Sequence, residues 1–462
     1  MKNTSRLRSA IEMEMAKQGY NFSTLSEKSG INRGVFSAIL NSTPPKPVSF
    51  HQLTMITQAL DMPEDWLFDD YVGECFYGGK PNRRRIEPFL LACSKQGRTD
   101  LIRQVLKRLL EDLKYVSFIF EKAEELFVAG KFAESVPFYE AVIEHEKHQH
   151  STRLSVSQYR LWRTRLSEDS EENLKVSVQF EPFRCLLPDW LKLDALLRLC
   201  NLYDDLGKYT EMEIFADEMF ETASHLYEKL KKGGNKSPKA EPQLFPARPL
   251  VFYYASALLQ KQLALIGQER YEEAKPYGEQ YGNLDDFEIL DDEEGRTEVE
   301  IFKVFALGNR LELELMLGNF SVLPEYAAYM NNHPNETPQG LLTLVKAANR
   351  HDANVDELLN EYYVPLETYL AQRPDSYYPE NVIRSTYAGL HYQLAIYHHR
   401  SGRRSESAAH VRACWELSQA LNNQQHFRQL ASLLALSPMF LPDHFVKNEN
   451  KTSMTKIEES RS

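Results

Sequence analysis

Thirteen histidines and five cysteines are the residues of this 462-residue chain best suited to metal or nucleophilic chemistry. The densest histidine run is IEHEKHQH, with His145, His148 and His150, and a second is His398-His399. A zinc site needs three or four such ligands in a fixed tetrahedral set. Neither run supplies one, and a polar helix end accounts for the first. Cys75, Cys93, Cys185, Cys200 and Cys414 are scattered with no C-x-x-C pair. Reduced, mostly buried thiols are expected, and neither a disulfide framework nor a structural zinc site. No Gly-rich phosphate loop, H-E-x-x-H or nucleophile elbow occurs, so the expectation is no enzyme, no metal and no cofactor. One basic run remains, Arg83-Arg84-Arg85 in VGECFYGGKPNRRRIEP. Such a run can track a phosphate backbone, and a solvated basic linker accounts for it equally well.

The elements that would carry any site belong to an ordinary water-soluble composition, 42% hydrophobic and 26% charged. No apolar run approaches the ~18–20 residues that span a bilayer. The N-terminus, MKNTSRLRSAIEMEMAK, has no apolar signal core, so a cytoplasmic protein without membrane partners is expected. A net charge of -12 makes a general nucleic-acid coat a poor description. Charge is uneven, however. Residues 1–60 carry about +4, and Asp61, Glu64, Asp65, Asp69 and Asp70 follow.

Two regions differ in grammar. In the first, Leu7, Ala10, Ile11 and Met15 have helical spacing, and GYN ends that helix. Asn21 caps a second helix with Leu25 inward, and Gly30 takes the C-cap position where positive φ is cheap for glycine. Asn32 caps a third helix, buried through Val35, Phe36, Ile39 and Leu40. NSTPPKPVS cannot be helical, because its prolines remove donors and hold the chain extended. Ser49 caps a fourth helix with Leu53, Ile56 and Leu60, and PEDWLF places proline at a first helical position.

From about residue 117 to 438 the chain reads as long amphipathic helices, with a returning phrase. It appears as LFVAGKFAESVPFYEAVI (126–143), LYDDLGKYTEMEIFADEMF (202–220) and LALIGQERYEEAKPY (263–277). Weaker copies are LELMLGNFSVLPEYAAY (313–329) and LAIYHHRSGRRSESAAHV (394–411). Each is a helix end, a glycine turn and a second helix, a unit that must stack to bury its faces. The glycines are too widely and unevenly spaced for one period, so some units are expected to have lost the recognisable turn. The boundaries read as a head at 1–72, a linker at 73–88, stacked helices at 89–440 and a polar, disordered tail at 441–462. Residues 231–249 read as a flexible interruption, and 285–300 as an acidic loop or helix start.

LSEKSGINRGVFSAILNS, followed by PVSFHQLTMITQALDMPEDWLF, resembles the lambda-repressor-like (XRE family) helix-turn-helix domain. The carrying residues are Leu25, Ser26, Gly30, Ile31, Asn32, Val35, Phe36, Ser37 and Ile39. The resemblance implies five helices, the third lying in the DNA major groove. Asn32, Arg33, Gly34, Ser37 and Ala38 would then approach base edges, with Arg33 suited to guanine O6 and N7. Asn41 and Ser42 would hold phosphate. One departure is Phe22, where the family often has a glutamine that touches the backbone or braces the third helix.

The repeats resemble tetratricopeptide repeats, best at Leu199-Cys200-Asn201-x-Tyr203 with Gly207-x-Tyr209. The fold class implied is all-α: a five-helix head plus a right-handed α-solenoid of helix pairs. A head and an array of this kind resemble the peptide-sensing regulators of Gram-positive bacteria (the RRNPPA superfamily). That resemblance implies a homodimeric transcription regulator that binds a double-stranded DNA operator and a short signalling peptide, as in quorum sensing. Asparagine side chains on a concave face would grip the peptide backbone, Asn201 first; Asn309, Tyr203 and Tyr253 are the further candidate contacts. The alternative is an interaction scaffold whose repeats bind a regulatory protein such as a response regulator.

Overall fold

Local capping sets the first helices. A computed structural model of the chain describes residues 2–146, 151–167, 169–232, 248–287, 293–372, 378–422 and 424–436. All regular elements among the described residues are helical. The expected interruption at 231–249 and the tail at 441–462 fall almost wholly outside the described residues, as do His148 and His150.

The chain opens with α1 (Lys2–Lys17), α2 (Phe22–Ser29), α3 (Arg33–Leu40), α4 (Phe50–Ala59) and α5 (Phe68–Cys75). Asn21 accepts the Ser23 and Thr24 amides at 2.9 and 3.0 Å, starting α2. Gly30 ends it at φ 71°, ψ 5°. Ser49 and Gln52 form a reciprocal capping box at the start of α4. Leu7, Ile11, Leu25, Phe36, Ile39, Leu53 and Ile56 are buried together, on the periodicity read from sequence. PEDWLF departs from expectation. Pro63 to Leu67 form turns closed by Trp66 N–H to Pro63 C=O and Phe68 N–H to Asp65 C=O, and helix begins only at Phe68.

The contacts divide the chain into two units, Met1–Thr164 and Arg165–Ser462. The N-terminal unit continues through α6 (Arg83–Lys95), α7 (Thr99–Leu109), α8 (Val116–Val128), α9 (Phe132–Glu146) and α10 (Thr152–Arg165). Residues 73–88 are therefore no linker. Cys75, Phe76 and Ile86 are buried, and Phe89 of α6 packs its ring 5.8, 5.4 and 5.1 Å from those of Phe50, Phe68 and Tyr71. Four aromatic rings thus join α4 and α5 to α6. Glycine and proline in that stretch suggested a break, but the apolar face Ile86-Phe89-Leu90 overrides them.

The C-terminal unit comprises α11 (Ser170–Phe180), α12 (Asp189–Asp205), α13 (Tyr209–Lys232), α14 (Leu250–Gly267), α15 (Tyr271–Tyr281) and α16 (Glu293–Met316). It continues with α17 (Leu323–Asn332), α18 (Thr337–His351), α19 (Asp356–Tyr362), α20 (Leu366–Gln372), α21 (Glu380–Arg400), α22 (Arg404–Ala420) and α23 (Gln424–Leu436). Helices α12, α14, α16, α18 and α21 pack each on the next, and each also packs on the helix that follows it in sequence. The first helices of these hairpins thus form one continuous row. Left-handed residues turn the hairpins: Gly207, Glu269, Gly318, Asp352 and Gly402. Asp352 takes this role at a turn without glycine. In the 263–277 copy the turn residue is Glu269, while Gly267 lies within α14.

Candidate functional site

The exposed side of α3 is built from its two ends. Its apolar side, through Phe36 and Ile39, is fully buried and fixes the helix in place. At the start, Asn32 Oδ1 accepts the Gly34 amide at 2.8 Å. Gly34 is tightly placed, since a Cβ there would stand 3.2 Å from the same oxygen. Arg33 is exposed, and its guanidinium makes no hydrogen bond or ion pair among the described residues. Ser37 and Asn41 are also exposed. The structure thus brings Asn32, Arg33, Gly34, Ser37, Asn41 and Ser42 to solvent along one short helix and its exit.

Two residues differ from their expected roles. Ala38 is half-buried, and its carbonyl accepts the Lys46 amide at 2.8 Å as well as the Ser42 hydroxyl. Ser42 therefore directs its hydrogen back onto its own chain. Phe22, at the position of the departure, is half-buried in a recess of about 540 Å³ shared with Glu12, Tyr20, Asn21 and Arg33. Of the basic run, Arg83 lays its guanidinium over the Phe118 ring at 4.1 Å. That contact engages the first arginine of the run as packing.

In the C-terminal unit the four expected ligand residues separate into two kinds. Asn201 on α12 is exposed, and its Oδ1 accepts Gln260 Nε2 of α14 at 2.9 Å. Asn309 on α16 is half-buried and donates to Tyr281 Oη at 2.7 Å, which donates in turn to Gln262 Oε1 at 2.5 Å. Tyr203 and Tyr253 are core residues instead. Tyr203 is 4% exposed, with its ring 5.2 Å from Phe215 and its hydroxyl on Glu181; Tyr253 is 1% exposed. Two residues beyond Asn201 on a helix is the opposite face, which is why Tyr203 turns inward.

Sequence reasoning passed over the titratable groups near these asparagines. Asp204 and Asp205 share a face with Asn201 on the last turn of α12. Water reaches Asp204, yet the protein around it displaces enough solvent to push its carboxyl up to about 6, opposed by Lys346 of α18. Asp205 is pushed up to about 7 by burial and the Asp204 charge, opposed by the Ser385 hydroxyl of α21. Glu312 of α16 also rises to about 7 through burial, against hydroxyl bonds from Thr343 at 2.9 Å and Tyr326 at 3.3 Å. Burial of the Lys346 ammonium lowers its own pKa. Two acids in a helix's last turn oppose its dipole, and LYDDLG carried that signal.

Histidines form a second cluster, on α21 and α22. His391 and His410 approach Nδ1 to Nδ1 at 2.9 Å, and His398 stacks on His410 with ring centroids 5.2 Å apart. Burial pushes His391 down to about 4; burial and the other two imidazoles push His410 to about 3. No group of three or more ligating side chains arranged for a metal ion occurs among the described residues. No helix among them is long and apolar enough to cross a membrane. In comparisons with known proteins, neither a family model nor a curated relative matches the chain.

Proposed function

We propose that this chain is a sequence-specific DNA-binding transcription regulator whose helical-repeat body dimerises and senses a ligand, a short peptide. The observation that carries the reading is Arg33. It stands at the first position of a short helix whose opposite face is locked into a core, and it is solvent-exposed with no hydrogen bond or ion pair among the described residues. An exposed arginine there can offer its fork to a guanine edge, with Asn32 beside it at the base edges, while Asn41 meets the flanking backbone.

On this reading α2 and α3 are a helix-turn-helix of the lambda-repressor-like kind, with Gly30 making the turn. The layer α12–α14–α16–α18–α21 is the inner face of a right-handed solenoid of tetratricopeptide-like pairs, and Asn201 and Asn309 are its ligand-facing amides. A homodimer follows from the reading, because one head buries little DNA and half-sites come in pairs one helical turn apart. Ligand control requires that the ligand bind two conformations unequally.

The test is selection of duplex DNA from a random library by the full-length protein, then titration of the selected site against scrambled duplex at two salt concentrations. Expected are selective, salt-sensitive binding and its loss in Arg33→Ala. Recovery of no preferred sequence overturns the reading.

A further inference from the structure

Arg8 of α1 and Glu74 of α5 form an ion pair at 2.7 Å with side chains 7% and 0% exposed. The guanidinium also donates to two backbone carbonyls. Nε donates to the Ile39 carbonyl at 2.8 Å and Nη2 to the Lys46 carbonyl at 2.9 Å. The second carboxylate oxygen of Glu74 accepts the Val48 amide at 2.8 Å. Tyr71 donates to the Val48 carbonyl at 3.1 Å, and Tyr77 donates to that of Pro45. Ile39 lies in the last turn of α3, where carbonyls have no partner within the helix. Lys46 and Val48 lie in the proline-containing stretch between α3 and α4, which has no regular ladder.

A buried ion pair seldom stabilises more than an apolar pair of the same volume. An apolar pair, however, cannot hold two carbonyls and an amide in place. The gain from Arg8 and Glu74 is therefore in position rather than in stability. What they position is the exit of α3 and the stretch carrying Asn41 and Ser42, held by side chains from α1 and α5.

We infer that Arg8 and Glu74 are positioning residues for DNA binding, tying the phosphate-facing exit of α3 to α5; this rests on the DNA-reading proposal. A displacement of α5, which leads into α6, then loosens the grip on DNA without touching Arg33.

The test compares wild type with Arg8→Met/Glu74→Met in the full-length protein. Hydrogen exchange is expected to rise about tenfold or more at the amides of residues 41–48, with α1, α4 and the C-terminal unit unchanged. Affinity for the selected duplex is expected to fall about tenfold, with the slope of log K against log salt shallower by about one, as when the exposed Lys46 of this stretch no longer neutralises a phosphate. Discrimination between selected and scrambled duplex, which Arg33→Ala is expected to abolish, should persist. Unchanged exchange at 41–48 overturns the inference. So does faster exchange with wild-type affinity and salt slope. If the double variant does not fold, Arg8→Lys keeps the charge opposite Glu74 but loses the fork; the same shifts in slope and exchange support the inference, and wild-type values overturn it. Wild type that prefers no duplex removes the DNA-reading proposal and this inference together, an outcome distinct from a selective wild type beside an equally selective, equally tight variant.

Discussion

Gly267 of α14 lies so close to Tyr209 of α13 that a Cβ built on the glycine would stand 2.4 Å from the tyrosine ring. No real Cβ sits at that distance from an aromatic carbon, so the two helices cross there on the absence of a side chain. Gly267→Ala is expected to destabilise the protein by about 1–3 kcal/mol through overpacking, although alanine is the better helix former. Tyr209→Leu placed beside it should recover part of the loss. Thermal melts of the two single variants and the double variant measure the coupling; additive effects would mean that the contact does not limit the crossing.

The first helices were legible because their signals are local. Asn21, Gly30, Asn32 and Ser49 each act within four residues, and the apolar spacing of Leu7, Ile11 and Met15 is that of one helix face. Phe89 shows where legibility stopped. Its partners Phe50, Phe68 and Tyr71 lie 18 to 39 positions away, and no nearby residue announces that 73–88 is packed rather than loose. Gly267 misled for a related reason. A glycine in a turn phrase and a glycine at a helix crossing look alike until the crossing helix is in place. Asn201 was singled out for its residue type. Asp204, Asp205 and Glu312 were not, because their shifted ionisation arises from enclosure by helices distant in sequence.

Those carboxyls give a pH dependence with a definite sign. Asp205, at about 7 in the folded chain, has an ordinary value of 3.8. A carboxyl raised by folding binds its proton more tightly in the native state, so its stabilisation is complete below about pH 4 and is lost as pH rises through 7. Asp205→Asn keeps the shape without the charge. It should leave stability near that of wild type at pH 4 and exceed it by on the order of 1 kcal/mol at pH 8. Denaturant melts at the two pH values check this. A variant penalty that is the same at both would mean that Asp205 is ordinarily ionised.

The histidine stack acts with the opposite sign. His410 is lowered from 6.5 to about 3 by burial and by its neighbours His391 and His398. The native state resists a proton that the unfolded chain accepts, so this stabilisation is present above pH 6.5 and declines as pH falls toward 3. Around the stack, Tyr363 packs edge-on to His391 and His410, and Arg403, Asp356 and Glu406 influence His398. His410→Phe should cost some stability at pH 7.5 through lost fit, yet flatten the decline between pH 6.5 and 4.5. A decline as steep as that of wild type would place the acid-sensitive groups elsewhere.

Gly30 separates backbone strain from crowding. Its φ is 71°, while a Cβ there would meet only the Met55 methyl at 3.6 Å, an ordinary contact. There is room for a side chain, so what a substitution loses is conformational. Alanine at a left-handed position costs about 1–2 kcal/mol, and asparagine, whose short side chain tolerates that region, costs less. Stability should therefore fall in the order Gly30, Gly30→Asn, Gly30→Ala, with the β-branched Gly30→Val lowest. Melts of the four proteins test the order. If alanine matches glycine, the turn has relaxed toward negative φ, and α3 will have rotated on its core. In that case DNA selectivity should change even where stability does not, because Arg33 is carried by the first turn after this glycine.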